Sequence, residues 1–343
     1  MIYRLFRSLL FRLDPESAHQ LTLQALRFAG NFPPSNWLLR QFYTRPPKPV
    51  QAFGLTFKNP VGLAAGYDKD AIAVKGLSAL GFGHVEVGTV TPRPQPGNPR
   101  PRVFRLPEDE AVINRMGFPS KGAEFVVSRL KRLDVQTFKH ANVVLGINLG
   151  RNKDTPNEEA VMDYLELLQY FAPYADYLVI NVSSPNTVGL RQLQGRAALE
   201  GLLKQLHVQR KMEEAALEKR TPLLVKLAPD LSEKELDNAV DVILSTQMDG
   251  IIVTNTTLAR EGLGARHQTE PGGLSGSPLR ARSEAVLGQV LKRVDGRIPV
   301  VSGGGIMSPE DAIRRLKLGA ALIQIYTGLI YHGPGLVKKI LEH

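Results

Sequence analysis

The segment Tyr177–Thr187 reads YLVINVSSPNT. Its first half is a short run of apolar and β-branched residues, the composition of a buried strand. Its second half turns polar, with Asn181, Ser183, Ser184, Pro185 and Asn186 in close succession. An apolar strand that ends in amide and hydroxyl groups is the repeating unit of a barrel whose chemistry sits at its strand ends. The same unit recurs after Pro60, as Val61–Gly66, His84–Val90, Val143–Gly150, Tyr177–Ser184, Leu223–Pro229, Gly250–Thr256, Pro299–Gly305 and Ala321–Gly328. Segments with helical spacing, such as Glu233–Leu244 and Pro309–Leu318, lie between most of them. Eight strand–helix units predict an α/β fold, a (β/α)8 TIM barrel. A doubly wound sheet is the alternative, but it would more naturally carry G-x-G-x-x-G after its first strand, and none is present.

Working outward, the longest insertion is Thr91–Asn142, between the second and third strands. It opens on the Pro- and Gly-rich TPRPQPGNPRPR, and Val103–Leu106 and Ala111–Arg115 then flank PEDE as a β-hairpin. Phe53–Phe57 reads as a further short strand below the barrel. At the amino end, Ile2, Leu5, Phe6, Leu9, Leu10 and Leu13 follow the spacing of one helical face, with Arg4, Arg7 and Arg12 off that stripe. Asp14-Pro15-Glu16 supplies a capping acceptor, a preset φ and a first-turn charge for a second helix. That helix is expected to run to about Ala29, before Gly30 and the Pro33-Pro34 break. The chain thus divides into an amphipathic helical pair, 1–40, and a barrel, 41–343. The pair can cap the barrel, lie on a membrane surface, or do both.

The 343 residues carry a formal net charge of +10 and no cysteine. Absence of Cys excludes disulfides, thiolate metal sites and a cysteine base. Residues 1–48 hold seven Lys/Arg against Asp14 and Glu16, a net of +5 and half of the total excess. An anionic membrane surface is the partner that fits a basic amphipathic segment. No zinc-finger or RNA-recognition signature accompanies the charge, so nucleic acid is not expected. No apolar run approaches the roughly 20 residues that span a bilayer, and no signal-peptide order is present. The seven histidines form no convincing metal-ligand cluster, and no metal is expected.

The strand ends, taken in order, offer Lys69, Thr89, Asn148, the Asn181–Asn186 cluster, Lys226, Thr254-Asn255-Thr256, Gly303–Gly305 and Tyr326-Thr327-Gly328. Any one of these can be mere capping; a polar end on all eight strands points to a site. SGGGI after the seventh strand and YTG after the eighth occupy the phosphate position of such barrels. The phosphate can belong to a sugar substrate or to FMN, and the glycines alone also fit a tight turn.

The motifs together resemble the dihydroorotate dehydrogenases, specifically the membrane-associated, quinone-dependent class. The matching stretches are NPVGLAAGYDKD, EVGTVTPRPQPGNPRPR, INRMGF, GINLGRNKDT, INVSSPNTVGLR, VKLAPD, TNTT, GGLSG and QIYTG. They run in order from about residue 59 to 328, and LDPESAH near the amino end matches the extension of the quinone-using class. The resemblance implies an FMN enzyme that oxidises (S)-dihydroorotate to orotate in pyrimidine synthesis. A proton leaves C5, a hydride leaves C6 for the flavin, and the electrons pass to a membrane quinone. It further implies a peripheral protein on the cytoplasmic face of a bacterial cell membrane. The family's base is Cys in the cytosolic class and Ser in the quinone class; Ser184 occupies that position, in agreement with a chain that has no Cys.

By the same matching, Lys69, Asn114, Asn181, Asn186, Asn255 and Thr256 surround the substrate, with Arg115, Met116, Gly117 and Phe118 beside them. A cyclic ureide with a carboxylate offers N–H donors, C=O acceptors and one negative charge, which amides and a lysine can meet. The FMN positions are Ala65, Gly66, Tyr67, Asp68, Lys69, Thr89, Asn148, Asn181, Lys226, Thr254, Gly276, Gly305, Tyr326 and Thr327. Lys226 is the cation for charge developing on the flavin, and otherwise a strand-end lysine reaching for solvent. His19 and Arg105 correspond to positions along the quinone route; His19 also reads as a helix histidine with a local partner. Tyr67, where an aliphatic residue is common, and Ser302, where Gly is frequent, depart from the pattern without removing a catalytic group. A flavin-free phosphosugar isomerase or aldolase, with Lys69 or Lys226 as Schiff-base former, is the competing enzyme class. A catalytically silent barrel tethered to membranes is the third reading, against which the intact Ser184, Lys69 and Asn set argues. No G-x-S-x-G elbow surrounds Ser184, which disfavours a hydrolase.

Overall fold

The computed structural model describes residues 2–133, 143–264 and 269–343; the end of the predicted insertion, 134–142, lies outside them. Asp14 accepts a hydrogen bond from the Ser17 amide at 2.9 Å and Pro15 starts the helix, so the chain turns between α1 (Ile2–Leu10) and α2 (Pro15–Asn31) where the sequence predicts. A third helix, α3 (Pro33–Tyr43), follows at once. Read from sequence, Pro33-Pro34 is only a break. A proline that ends one helix also presets φ for the first turn of another, and here it does both. The extension is therefore three helices rather than a pair. Leu23 anchors it to the main hydrophobic core, and α2 lies against α4 (Val74–Ser78).

Strands β1 (Val50–Ala52) and β2 (Leu55–Phe57) pair antiparallel around a Phe53-Gly54 turn, so the single short strand expected at Phe53–Phe57 is half of a hairpin. The barrel begins with β3 (Val61–Leu63) and β4 (His84–Val90). The inserted hairpin β5 (Val103–Leu106) and β6 (Ala111–Asn114) follows, as predicted. The barrel resumes with β7 (Val144–Leu149), β8 (Tyr177–Asn181), β9 (Leu223–Leu227) and β10 (Gly250–Val253). A strand not foreseen, β11 (Gly273–Gly276), adds to β6 and makes the hairpin a three-stranded sheet. Strands β12 (Val300–Gly303) and β13 (Leu322–Ile325) complete a closed barrel of eight parallel strands.

Helices α5 (Ala123–Arg132), α6 (Ala160–Phe171), α7 (Arg196–Leu217) and α8 (Glu233–Ser245) come next in the chain. The last are α9 (Arg280–Val294), α10 (Pro309–Leu318), α11 (Thr327–His332) and α12 (Gly335–Glu342). Two carry full capping boxes: Ser232 with Glu235 on α8, and Ser308 with Asp311 on α10. Each satisfies amides that would otherwise be orphaned where a loop enters a helix.

Alternation along the strands sorts the core into two. Val85, Val87, Leu145, Ile147, Leu178, Ile180, Val225, Ile251 and Ile323 pack in the large cluster with the surrounding helices. Their neighbours Val144, Tyr177, Val179, Leu224, Ile252, Val301 and Leu322 form a separate cluster with Phe53 and Phe57. The second set fills the barrel interior at its amino end, and the β1–β2 hairpin closes it. His84 sits there between Phe57 and Tyr177, with ring centroids 5.5 and 6.3 Å away. A Cβ at Gly62 would come within 1.9 Å of the His84 ring, so only glycine leaves it room. Among the described residues no helix is long and apolar enough to cross a membrane.

Candidate active site

Along β7, β8, β9, β10 and β13 the inward positions change from apolar to polar on the way to the carboxyl ends, and β4 adds Glu86. Glu86, Asn148, Asn181, Lys226, Thr254 and Gln324 are all buried there. The loops after these strands, the β5–β6–β11 sheet and the helices α1 and α2 then enclose one continuous cavity. Of the residues singled out from sequence, all but Asp68, Arg115 and Asn148 line it.

On one wall, Ser184 is 5% exposed, and its Oγ accepts a hydrogen bond from the Asn186 amide at 3.2 Å. That bond fixes the loop just past β8 and places an N–H dipole on the hydroxyl oxygen. The Asn186 amide group donates to Asn114 Oδ1 at 3.1 Å, tying the loop to the inserted hairpin. Asn255 donates to Ser183 Oγ at 3.0 Å and to Asn181 Oδ1 at 3.3 Å. Ser183 is fully buried and its Oγ also donates to Asn181 Oδ1, at 3.1 Å. So of the two adjacent serines, Ser183 is structural and Ser184 faces the cavity.

Lys69 closes another side. Its Nζ donates to the Gly66 carbonyl at 2.5 Å, and burial pulls its pKa down to about 8 against the attraction of Asp70 and Glu16. The remaining exposure of this side chain is to the cavity. Lys226, at the end of β9, is 6% exposed; burial lowers its pKa and the charge of Glu86 opposes that. One half-buried and one buried cation thus face one concave space, which suits an anionic occupant.

Across from them the Gly303–Gly305 loop leaves β12 and runs beside Tyr326 and Thr327. Gly305 has φ of 72°, and a Cβ there would meet the Arg280 backbone at 2.3 Å. Only glycine therefore lets this loop pack against the start of α9 while its backbone lines the cavity. Beside it the Thr254 hydroxyl is buried and has no hydrogen-bond partner among the described residues. A buried orphan of this kind calls for a ligand or water.

The three residues that do not line the cavity have other work. Asp68 is fully buried, and its carboxylate accepts from the Ile72 and Ala73 amides at 2.9 and 2.7 Å. Burial raises its pKa to about 6 in spite of those bonds. It braces the loop that carries Lys69. Arg115 turns outward to pair with Glu270 and lies over the Phe104 ring at 4.6 Å. Asn148 is sealed beneath the wall, bonded to Glu86, Thr89 and Asn181.

His19 and Arg105 lie on the side of the amino-terminal helices. The His19 ring stands edge-on to Tyr67 at 5.0 Å, and burial, then Lys69, press its pKa down to about 4. Arg105 donates to the Leu10, Phe11 and Leu13 carbonyls and lies over the Phe11 ring, so it holds the turn between α1 and α2. The clamp between Glu16 and Arg102 was not legible in sequence. Arg102 gives Glu16 two hydrogen bonds, of 2.7 and 3.1 Å, and Arg100 adds one of 3.0 Å. Glu16 follows Pro15 and reads as a first-turn charge; nothing local marks a partner 86 residues away. Among the described residues no cluster of three His, Cys, Asp or Glu is placed to hold a metal.

A serine, a set of amides and two lysines thus share one cavity with a glycine-rich loop. Residues 49–343 match the family model described as dihydroorotate dehydrogenase. The chain belongs to the dihydroorotate dehydrogenase family. It is 50% identical over 342 residues to a dihydroorotate dehydrogenase (quinone) of Halorhodospira halophila, an alignment covering 99% of this chain and 97% of that one. With the dihydroorotate dehydrogenase (quinone) of Acidithiobacillus ferrooxidans the identity is 51% over 349 residues, covering 100% and 94%. Among solved structures, ligand-free DHODH from Eimeria tenella superposes with a TM-score of 0.84 at 40% identity, over 96% of this chain and 93% of that chain. The Eimeria tenella DHODH in complex with ferulenol gives 0.82 at 39%, over 96% and 90%.

Proposed function

We propose that this chain oxidises (S)-dihydroorotate to orotate for pyrimidine synthesis, with FMN as cofactor and a quinone as final acceptor. The observation that carries the reading is the convergence of Ser184, Lys69, Asn114, Asn186, Asn255 and Thr256 on one cavity that also takes in Gly303–Gly305 and Lys226. The residues fit FMN. The orphaned Thr254 hydroxyl and the buried Lys226, both lining the cavity, offer a donor and a cation to such a group. Gly276, Gly305 and the Tyr326-Thr327 backbone would hold the phosphate; Ala65, Gly66, Thr89, Asn181 and Lys226 would hold the ring system. When bound, FMN supplies the hydride acceptor and the route for electrons to the quinone.

The chain's own residues do the rest. Lys69 meets the substrate carboxylate, and Asn114, Asn186 and Asn255 match the ring's N–H and C=O groups with amides that both donate and accept. Ser184 Oγ receives the C5 proton as its own hydroxyl proton passes on to water. The Asn186 amide that points at Oγ favours the oxygen while its hydroxyl proton is leaving. Burial of the wall excludes bulk water and strengthens each of these interactions.

The same reading makes residues 1–40 the route to the membrane, with His19 and Arg105 beside the quinone's path. Phe6, Leu9, Phe28 and Trp37 are 59–70% exposed on these helices, and the segment is basic. Aromatic side chains beside arginines suit the headgroup zone of an anionic leaflet. This supports a peripheral protein on the cytoplasmic face of a bacterial membrane. Turnover of dihydroorotate with a soluble quinone analogue, repeated with fumarate and with NAD, tests the assignment. Quinone reduction alone is expected; turnover only with fumarate or NAD would overturn it, as would full activity in colourless protein.

A further inference from the structure

One buried carboxylate is left over by the chemistry above. Glu86 points into the barrel beneath the cavity floor and is fully buried. Both of its oxygens accept. Oε1 takes the Asn148 side-chain amide at 2.8 Å, and Oε2 takes Gln324 Nε2 at 2.6 Å and the Tyr177 hydroxyl at 3.4 Å. A carboxylate in such a position offers its neighbours acceptors only.

The consequence propagates. Because Asn148 must turn its NH2 toward Glu86, its Oδ1 faces the other way, where it accepts from Thr89 Oγ1 at 2.6 Å and Asn181 Nδ2 at 2.9 Å. With its proton committed to Asn148, Thr89 Oγ1 can only accept from Asn181 Nδ2, at 3.1 Å. Asn181 therefore turns its own oxygen to the opposite side. That oxygen accepts from Ser183 Oγ at 3.1 Å and Asn255 Nδ2 at 3.3 Å. Asn255 in turn has its NH2 fixed toward β8, and its Oδ1 accepts from the Thr256 amide at 2.8 Å. Backbone N–H groups, which can only donate, pin two of these amides: Ser183 N–H to Asn181 Oδ1 at 3.3 Å and Thr256 N–H to Asn255 Oδ1 at 2.8 Å. Asn148 is held by side chains alone, and of these only Glu86 cannot donate, so Glu86 fixes which way it faces.

We propose that Glu86 is a positioning residue that fixes the polarity of Asn148, so that an oxygen meets the Asn181 NH2 and the Thr89 hydroxyl beneath the wall, and through them supports the recognition of substrate. This rests on the reading of the cavity as the dihydroorotate site. The isosteric E86Q keeps volume and packing but allows a donor to face Asn148, which can then reverse and set its NH2 against that of the pinned Asn181. A buried amide left unpaired or reversed weakens binding by about ten- to a hundredfold. The second variant moves the charge by one step. In E86Q/N148D, the amide introduced in place of Glu86 donates to the new carboxylate, which then accepts from Thr89 and Asn181 as Asn148 Oδ1 does. Gln324 and Tyr177 still find an oxygen at the other end of residue 86. Every donor–acceptor pair is restored with the same number of atoms and the same net charge.

The test measures equilibrium orotate binding to the FMN-loaded wild type, E86Q and E86Q/N148D, together with KM and kcat for dihydroorotate. E86Q is expected to bind orotate about ten- to a hundredfold more weakly, and the double variant to recover most of that loss. Wild-type affinity in E86Q would overturn the proposal. So would a double variant as impaired as E86Q, including the case where both fail to load or fold, because Glu86 would then be needed only for packing or charge. Failure of the wild type to bind orotate or turn over dihydroorotate would instead overturn the reading of the site and is visible before either variant is made.

Discussion

The two ends of the barrel are built from the same eight strands and the same alternation, yet they do opposite things. At the amino end the inward residues are Val144, Tyr177, Leu224, Ile252, Val301 and Leu322, sealed by Phe53 and Phe57 of the hairpin. At the carboxyl end the inward residues are Asn148, Asn181, Lys226 and Thr254, gathered at and just beneath a cavity. The first set gains stability from apolar burial; the second is costly to bury, and on the proposed function it is there to bind substrate and cofactor. Glu86 and Gln324 mark the boundary, one step above the apolar plug. Function and stability are thus divided along the barrel axis, and substitutions at the two ends should separate them.

Four changes probe that division, in order of expected effect. Replacing Lys69 with Ala removes the cation proposed to meet the substrate carboxylate. Truncating one partner of a buried charge pair costs about 2–5 kcal/mol, so KM should rise from roughly thirtyfold to above a thousandfold with little change in melting temperature. An unchanged KM would move the carboxylate elsewhere. At the other end, Phe57→Ala should cost about 3–5 kcal/mol of stability, read by denaturant unfolding, while kcat of the folded protein holds. A large loss of kcat with unchanged stability would erase the contrast between the ends.

The third uses pH. The folded-state pKa of Lys69 is about 8, below its ordinary value of 10.5, so the group loses its proton as pH rises through 8. Attraction for an anionic substrate is full below that point and fades above it. KM should climb by up to about tenfold per unit above pH 8 in wild type and stay flat in Lys69→Ala. A wild-type KM that is level well above pH 8 would contradict the assignment. The smallest effect concerns the exterior. Phe28→Glu with Trp37→Glu should weaken binding to anionic vesicles severalfold and leave the dihydroorotate half-reaction unaltered. Equal loss of both would make the helices part of the site's framework.

The division along the axis was only partly legible in the sequence. The eight polar strand ends, the hairpin flanking PEDE and the glycine loop after β12 all carry local signals, and the structure assembles them as expected. β11 escaped notice because Gly273–Gly276 has neither alternation nor β-branching; it is a strand only because β6 offers it an edge. α3 was hidden by prolines that serve as both stop and start. Asp68, Arg115 and Asn148 sit among site motifs, but their side chains brace loops or lie beneath the wall, and sequence proximity cannot show direction. Glu86 lies inside the apolar run His84–Val90, where a lone carboxylate has no visible partner until Asn148, Tyr177 and Gln324 are brought to it from three other strands.

The central claim is that Ser184 takes a proton from dihydroorotate at the polar end of the barrel. Anaerobic single-turnover mixing of FMN-loaded Ser184→Ala with dihydroorotate tests it most directly. Flavin reduction should slow by about 10²–10⁴-fold relative to wild type, with FMN content and orotate affinity preserved. Reduction at the wild-type rate would show that Ser184 is not the base.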